Sequence, residues 1–107
     1  MDKNEAIESG KGFADKIRQA FDPLMIVLYG SYAGNTFTEA SDIDVAVIVS
    51  SIEGDFLEQE AELYRLRREV DDRIEPVLIE YGNDKSGFLE HILSSGEILY
   101  KKSVEGS

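Results

Sequence analysis

The sequence predicts an α/β (α+β) fold: a mixed β-sheet of three to four strands flanked by helices, with residues 1–107 forming one domain. Three observations predict it. An amphipathic helical pattern occupies the chain as far as Phe21, and apolar runs of strand length follow at Leu24–Tyr29 and Ile43–Val49. A second helical pattern then separates Ile43–Val49 from another strand-like run, Arg73–Ile79, and such a strand, helix, strand connection favours a parallel pair. At 107 residues the chain can bury roughly two-thirds of the surface it exposes when unfolded.

The first helix is read from Asn4 to Phe21, because Ile7, Gly10, Phe13, Ala14, Ile17 and Phe21 recur at helical spacing and Asp22-Pro23 stops it. Ser9-Gly10-Lys11-Gly12 lies inside that helix and lacks the spacing of a phosphate loop. Leu24–Tyr29 reads as a buried strand ending at Gly30-Ser31. Ile43–Val49 alternates only at its start and is apolar on both faces beyond Val45, as a central strand is. A turn containing Gly54 leads to a helix ending near Asp72, with Phe56, Leu63, Leu66 and Val70 facing the core. In Arg73–Ile79, Pro76 has no N–H to donate, which predicts an edge strand or a bulge. A loop over Asn83–Ser86 precedes a short helix carrying Leu89, Ile92 and Leu93, which Gly96 ends. Glu97–Tyr100 offers a last short strand, and the tail to Ser107 is expected to fray.

Composition narrows the chemistry. No cysteine and one histidine, His91, exclude thiolate and histidine-rich metal sites, so any metal must be held by oxygen: magnesium, manganese or calcium. His91 itself reads as a surface or capping residue of the short helix. Eleven basic against 22 acidic residues give a net charge of -11, which disfavours a long nucleic acid held in a basic groove. No apolar run approaches the roughly 20 residues that span a bilayer, and Met1-Asp2-Lys3-Asn4-Glu5 leads into no signal-like apolar segment. No membrane association is expected, and the expected location is the cytoplasm.

The segment from Gly30 to Ile48 concentrates the chemistry. Asp42 and Asp44 are two apart, so in a strand their carboxylates project on one side, where two close anions favour a cation between them. Gly30 and Ser31 end the preceding strand, where exposed backbone N–H groups cradle phosphate oxygens. A parallel pairing of Ile43–Val49 with Arg73–Ile79 brings Glu75 to the same sheet edge, and an antiparallel first strand presents Gly30 and Ser31 there. Asp42, Asp44 and Glu75 then converge on metal, either one ion or two about 3.5 to 4 Å apart. Glu75 would stand on the attacking side as ligand and base. Arg73, two residues before Glu75, is expected to orient its carboxylate.

At these residues the chain resembles the DNA polymerase β-like nucleotidyltransferase superfamily, and within it the minimal nucleotidyltransferases. Their pattern, G-S-x-A-R-G-x(5)-S-D-I-D followed by a third acidic residue, is matched by Gly30, Ser31, Ala33, Ser41, Asp42, Ile43 and Asp44, with Glu75 in the third place. Gly34 stands where that pattern has Arg, and Asn35 where it has Gly. The resemblance implies two magnesium ions on Asp42, Asp44 and Glu75, nucleoside triphosphate on Gly30 and Ser31, and transfer of a nucleoside monophosphate to a hydroxyl. It further implies a helical HEPN-domain toxin as partner, silenced by AMP placed on one of its tyrosines. The alternative is an antitoxin-like binding subunit with a weak or inactive site, and a structural metal-binding domain ranks third. Arg65, Arg67 and Arg68 read as solvated helix charges, Arg67 paired with Asp71, while the stripe Glu60, Tyr64, Arg67, Asp71 borders the core and is open to a partner. Tyr32 either packs in the core or stacks on a base.

Overall fold

Capping residues set the first helix. Asp2 accepts the Glu5 N–H at 2.8 Å and starts α1 (Lys3–Ala20), and Phe21 closes it by donating to the Ile17 carbonyl at 2.7 Å. The computed structural model describes residues 2–83 and 87–103. The expected Asn83–Ser86 loop and the fraying tail fall largely outside them. Beyond α1 come β1 (Met25–Tyr29), β2 (Ile43–Val49), α2 (Phe56–Arg67), β3 (Ile74–Glu80), α3 (Phe88–Ser95) and β4 (Glu97–Lys101).

The strands form one sheet in the order β3-β2-β1-β4. β1 runs antiparallel to β2 and to β4, whereas β2 and β3 are parallel, so the sheet is mixed as expected. β3, with its Pro76, lies at one edge, where a missing N–H is tolerated. β2 is central and its alternation divides the core. Ile43, Val45, Val47 and Val49 pack with Phe13, Ala14 and Ile17 of α1 and Leu63 and Leu66 of α2, while Ala46 and Ile48 pack with Leu89 and Ile92 of α3. Asp44 therefore faces the α3 side, the side with the lighter helical cover.

Two expectations about α2 need correction. It ends at Arg67 rather than near Asp72, because the N–H groups of Arg68, Glu69 and Val70 bond three residues back, to Arg65, Leu66 and Arg67, and tighten the chain into a turn. Phe56, assigned to the core stripe, sits at the helix start and is 39% exposed. Among the described residues, no helix is long and apolar enough to cross a membrane.

Candidate active site

The strand directions bring three chain segments to one edge of the sheet. In register, Tyr29 at the end of β1 pairs with Asp44 near the start of β2, and Asp44 pairs with Glu75 near the start of β3. Paired residues share a face, so Tyr29, Asp44 and Glu75 form a row across three strands. Asp42 lies just before β2, exposed, while Asp44 and Glu75 are half-buried. The row is electrostatically crowded: the Asp44 carboxyl is pushed up from 3.8 by burial first, then by the charges of Asp42 and Glu75. The Tyr29 hydroxyl is likewise raised, by burial and then by Asp44, Glu75 and Tyr64.

Gly30 is fitted to this row. Its φ of 77° lies in the left-handed region, and a Cβ there would overlap a carboxylate oxygen of Asp44. Its absent side chain lets backbone and carboxylate approach each other, which joins the Gly30-Ser31 turn to the acidic row. The Gly30 carbonyl accepts the Gly34 N–H at 3.1 Å, and the Ser31 carbonyl accepts the Thr36 N–H at 2.9 Å. Those bonds close the turn on itself. Asn35, which stands where the family pattern has glycine, takes φ 60°, a left-handed conformation that asparagine tolerates better than most residues. At Gly34 an added Cβ would meet the Gly30 carbonyl at 3.6 Å and Thr36 Oγ1 at 3.9 Å, ordinary contacts, so room for a side chain exists.

The loop between turn and carboxylates is braced locally. Tyr32 is 1% exposed and stacks on Phe37 at 4.7 Å, which settles its alternatives in favour of packing. Ser41 Oγ accepts the Thr38 N–H at 2.8 Å, and the Ile43 N–H donates to the Arg73 carbonyl at 2.9 Å. The serine of the Ser-Asp-Ile-Asp run thus fixes the approach to β2.

The partners of Glu75 differ from the expected ones. Arg73 points its guanidinium at Asp71, with 3.0 and 2.9 Å bonds to the two carboxylate oxygens, so it does not orient Glu75. It precedes the strand, and the alternation that would align it with Glu75 begins only at Ile74. Asp71 is held below its ordinary value, chiefly by Arg73, and also accepts from Ser9 of α1 at 3.2 Å. Arg67, expected to pair with Asp71, takes Arg73's assigned place: it lies 3.5 Å from one oxygen of Glu75 and donates to the Ile74 carbonyl at 2.8 Å. Tyr64 donates to the other oxygen at 3.4 Å, and the Arg67 guanidinium lies 4.7 Å above its ring. Burial and the charge of Glu75 raise the Tyr64 hydroxyl. Tyr64 and Arg67 fall on one stripe of the α2 sequence pattern, and that spacing is the signal the sequence offers for their pairing. Tyr29 was missed, although it directly precedes Gly30 and an antiparallel β1 places it beside Asp44.

Among the described residues, no three Asp, Glu or His side chains are gathered closely enough to hold a metal ion as they stand. Oxygen donors alone suit magnesium or manganese, and of the causes that raise Asp44, burial first and then the charges of Asp42 and Glu75, a divalent cation would offset the charge repulsion. The residues fit such an ion in donor type and charge. A cleft of about 640 Å³, lined by Asp22, Glu53, Glu58 and Glu62 among others, lies toward the far end of β2 and does not adjoin the row.

Residues 13–105 match the family model described as Polymerase beta, Nucleotidyltransferase. The chain belongs to that family. Among solved structures it is similar to a Sulfolobus solfataricus protein described as a candidate nucleotidyltransferase, at 14% identity and a TM-score of 0.67, covering 94% of this chain and 84% of that one. It is also similar to a chain of a toxin-antitoxin crystal structure with AMP-PNP, at 23% identity and a TM-score of 0.66, covering 87% of this chain and 74% of that one. At these identities the likeness establishes the α+β fold. No curated protein matches the chain.

Proposed function

We propose that this protein is a metal-dependent nucleotidyltransferase that moves AMP from ATP to a hydroxyl, namely a tyrosine of a HEPN-type toxin partner, in the cytoplasm. The observation that carries the reading is the pair Asp44–Glu75, with Asp42 close enough to raise Asp44 and Gly30 packed on Asp44, because it sets the Gly30-Ser31 turn against neighbouring carboxylates. Family membership supports the transferase chemistry. A structural relative described as a toxin-antitoxin with AMP-PNP supports the adenine nucleotide and the toxin partner.

On this reading, backbone N–H groups of Gly30 and Ser31 hold phosphate oxygens of the triphosphate. Asp42, Asp44 and Glu75 would hold two magnesium ions, with manganese as a substitute, and the bound ions would neutralise phosphate charge and acidify the acceptor hydroxyl. The acceptor oxygen attacks the α-phosphorus, Glu75 takes its proton, and the bond to the β-phosphate breaks to release pyrophosphate. Arg67 and Tyr64 fix the Glu75 carboxylate from two sides.

One observation favours a second reading, an antitoxin-like subunit that neutralises a helical partner by binding. Gly34 leaves the turn without the guanidinium of the family pattern, and with it a charge-assisted phosphate contact. Incubating the protein with α-labelled ATP, magnesium and the protein encoded beside it separates the two. Label on a partner tyrosine is the outcome expected of the enzyme, and a tight unlabelled complex is that of the binding subunit.

A further inference from the structure

The acidic row already holds a phenol. Of the five tyrosines, Tyr64 is the one whose hydroxyl donates to a carboxylate of the row among the described residues, 3.4 Å from one oxygen of Glu75. Tyr32 is buried in its loop, Tyr81 stands beyond the opposite end of β3, and Tyr100 lies on β4 beneath Arg18. Tyr29 shares the row, but its ring is pinned edge-on against Phe88 at 5.6 Å. Tyr64 is better presented. It is half-exposed on α2, and Arg67 holds its ring at 4.7 Å while bonding the Ile74 carbonyl at 2.8 Å, which ties helix and strand together.

We infer that Tyr64 is an acceptor in its own right: the chain transfers a nucleoside monophosphate to its own Tyr64 hydroxyl. This rests on the transferase reading above and names a substrate of the same site. An acceptor must place its hydroxyl within reach of the base that takes its proton, and Tyr64 does so without a second protein. In the step, a Tyr64 O–P bond forms at the α-phosphorus of a nucleoside triphosphate, the α–β phosphoanhydride bond breaks, and pyrophosphate leaves with the bond's electron pair. The phenolic proton passes to Glu75. The product is a tyrosyl phosphodiester on α2 beside Glu75, where its bulk separates Tyr64 from Arg67 and closes the site to another acceptor.

The test uses the full chain alone with magnesium and ATP labelled at the α-phosphate, followed by intact mass and peptide mapping. The expected result is one added nucleoside monophosphate on Tyr64, at a rate per chain unchanged by dilution. Loss of label in Tyr64→Phe and its retention in Tyr81→Phe complete the expectation, and mapping on the unaltered chain does not depend on how Tyr64→Phe folds. Label on any other residue, or a rate that falls on dilution, overturns the inference. Calorimetric binding of magnesium-ATP and labelling of a partner are read in parallel. If those persist while Tyr64 stays unlabelled, the inference fails and the transferase reading stands; if they are absent as well, both fail.

Discussion

Gly30 joins backbone geometry to the proposed site. Its positive φ strains any L side chain, and the space a Cβ would fill is taken by the Asp44 carboxylate. Gly30→Ala is therefore expected to lower unfolding free energy by about 1 to 3 kcal/mol, measured by urea unfolding, and to weaken nucleotide binding by displacing the turn. Asn35 shows the milder form of the same demand, holding φ 60° with a residue that accepts it. That Asp44 and Glu75 share a face, with Gly30 at the same edge of the sheet, was legible because strand parity and strand direction follow from sequence spacing. Arg73 was not: its partner is chosen by the turn before β3, which places Asp71 against it at 2.9 Å, and no spacing rule records how that turn closes.

At the scale of elements, the turn from α2 into β3 decides where Glu75 and its partners stand. Asp71 anchors it through Arg73 and through Ser9 of α1. Because folding lowers the Asp71 pKa below 3.8, its contribution to stability is present above that value and is lost as pH falls through the folded-state value. Asp71→Asn should lower the melting midpoint at neutral pH, and the difference from the unaltered protein should vanish in strong acid; a gap independent of pH would contradict this. The bounds of β2 were read correctly, since an apolar run flanked by Asp42 and Ser50 leaves little freedom. The end of α2 was not, because Val70 continues the apolar spacing and still packs on the core from a turn rather than from a helix. Periodicity reports which side chains are buried and is silent on whether the backbone beneath them is helical.

Across the whole molecule, a net charge of -11 sets the terms on which phosphates approach. Bare triphosphate is repelled, and on the proposed reading Asp44 and Glu75, with Asp42 beside them, add to that repulsion at the nucleotide's site. A divalent cation bound by the folded state alone raises stability by mass action, about 2.7 kcal/mol at a hundredfold excess over its dissociation constant. Millimolar magnesium or manganese is thus expected to raise the melting midpoint of the unaltered protein and to leave Asp44→Asn unmoved, as thermal scans with and without metal would record. Equal shifts in both proteins would place the ion elsewhere on the acidic surface.

On the proposed function, the Gly30-Ser31 turn and the carboxylates of Asp42, Asp44 and Glu75 form one site, in which nucleotide and metal bind together. Calorimetric titration of a non-hydrolysable ATP analogue, with and without magnesium, into the unaltered protein and Asp44→Asn tests it without needing an acceptor. The prediction is binding that requires magnesium and falls by on the order of a thousandfold, roughly 4 kcal/mol, in Asp44→Asn, whose circular dichroism stays unchanged. Binding of the analogue with equal affinity in both proteins, or equally without magnesium, would contradict it.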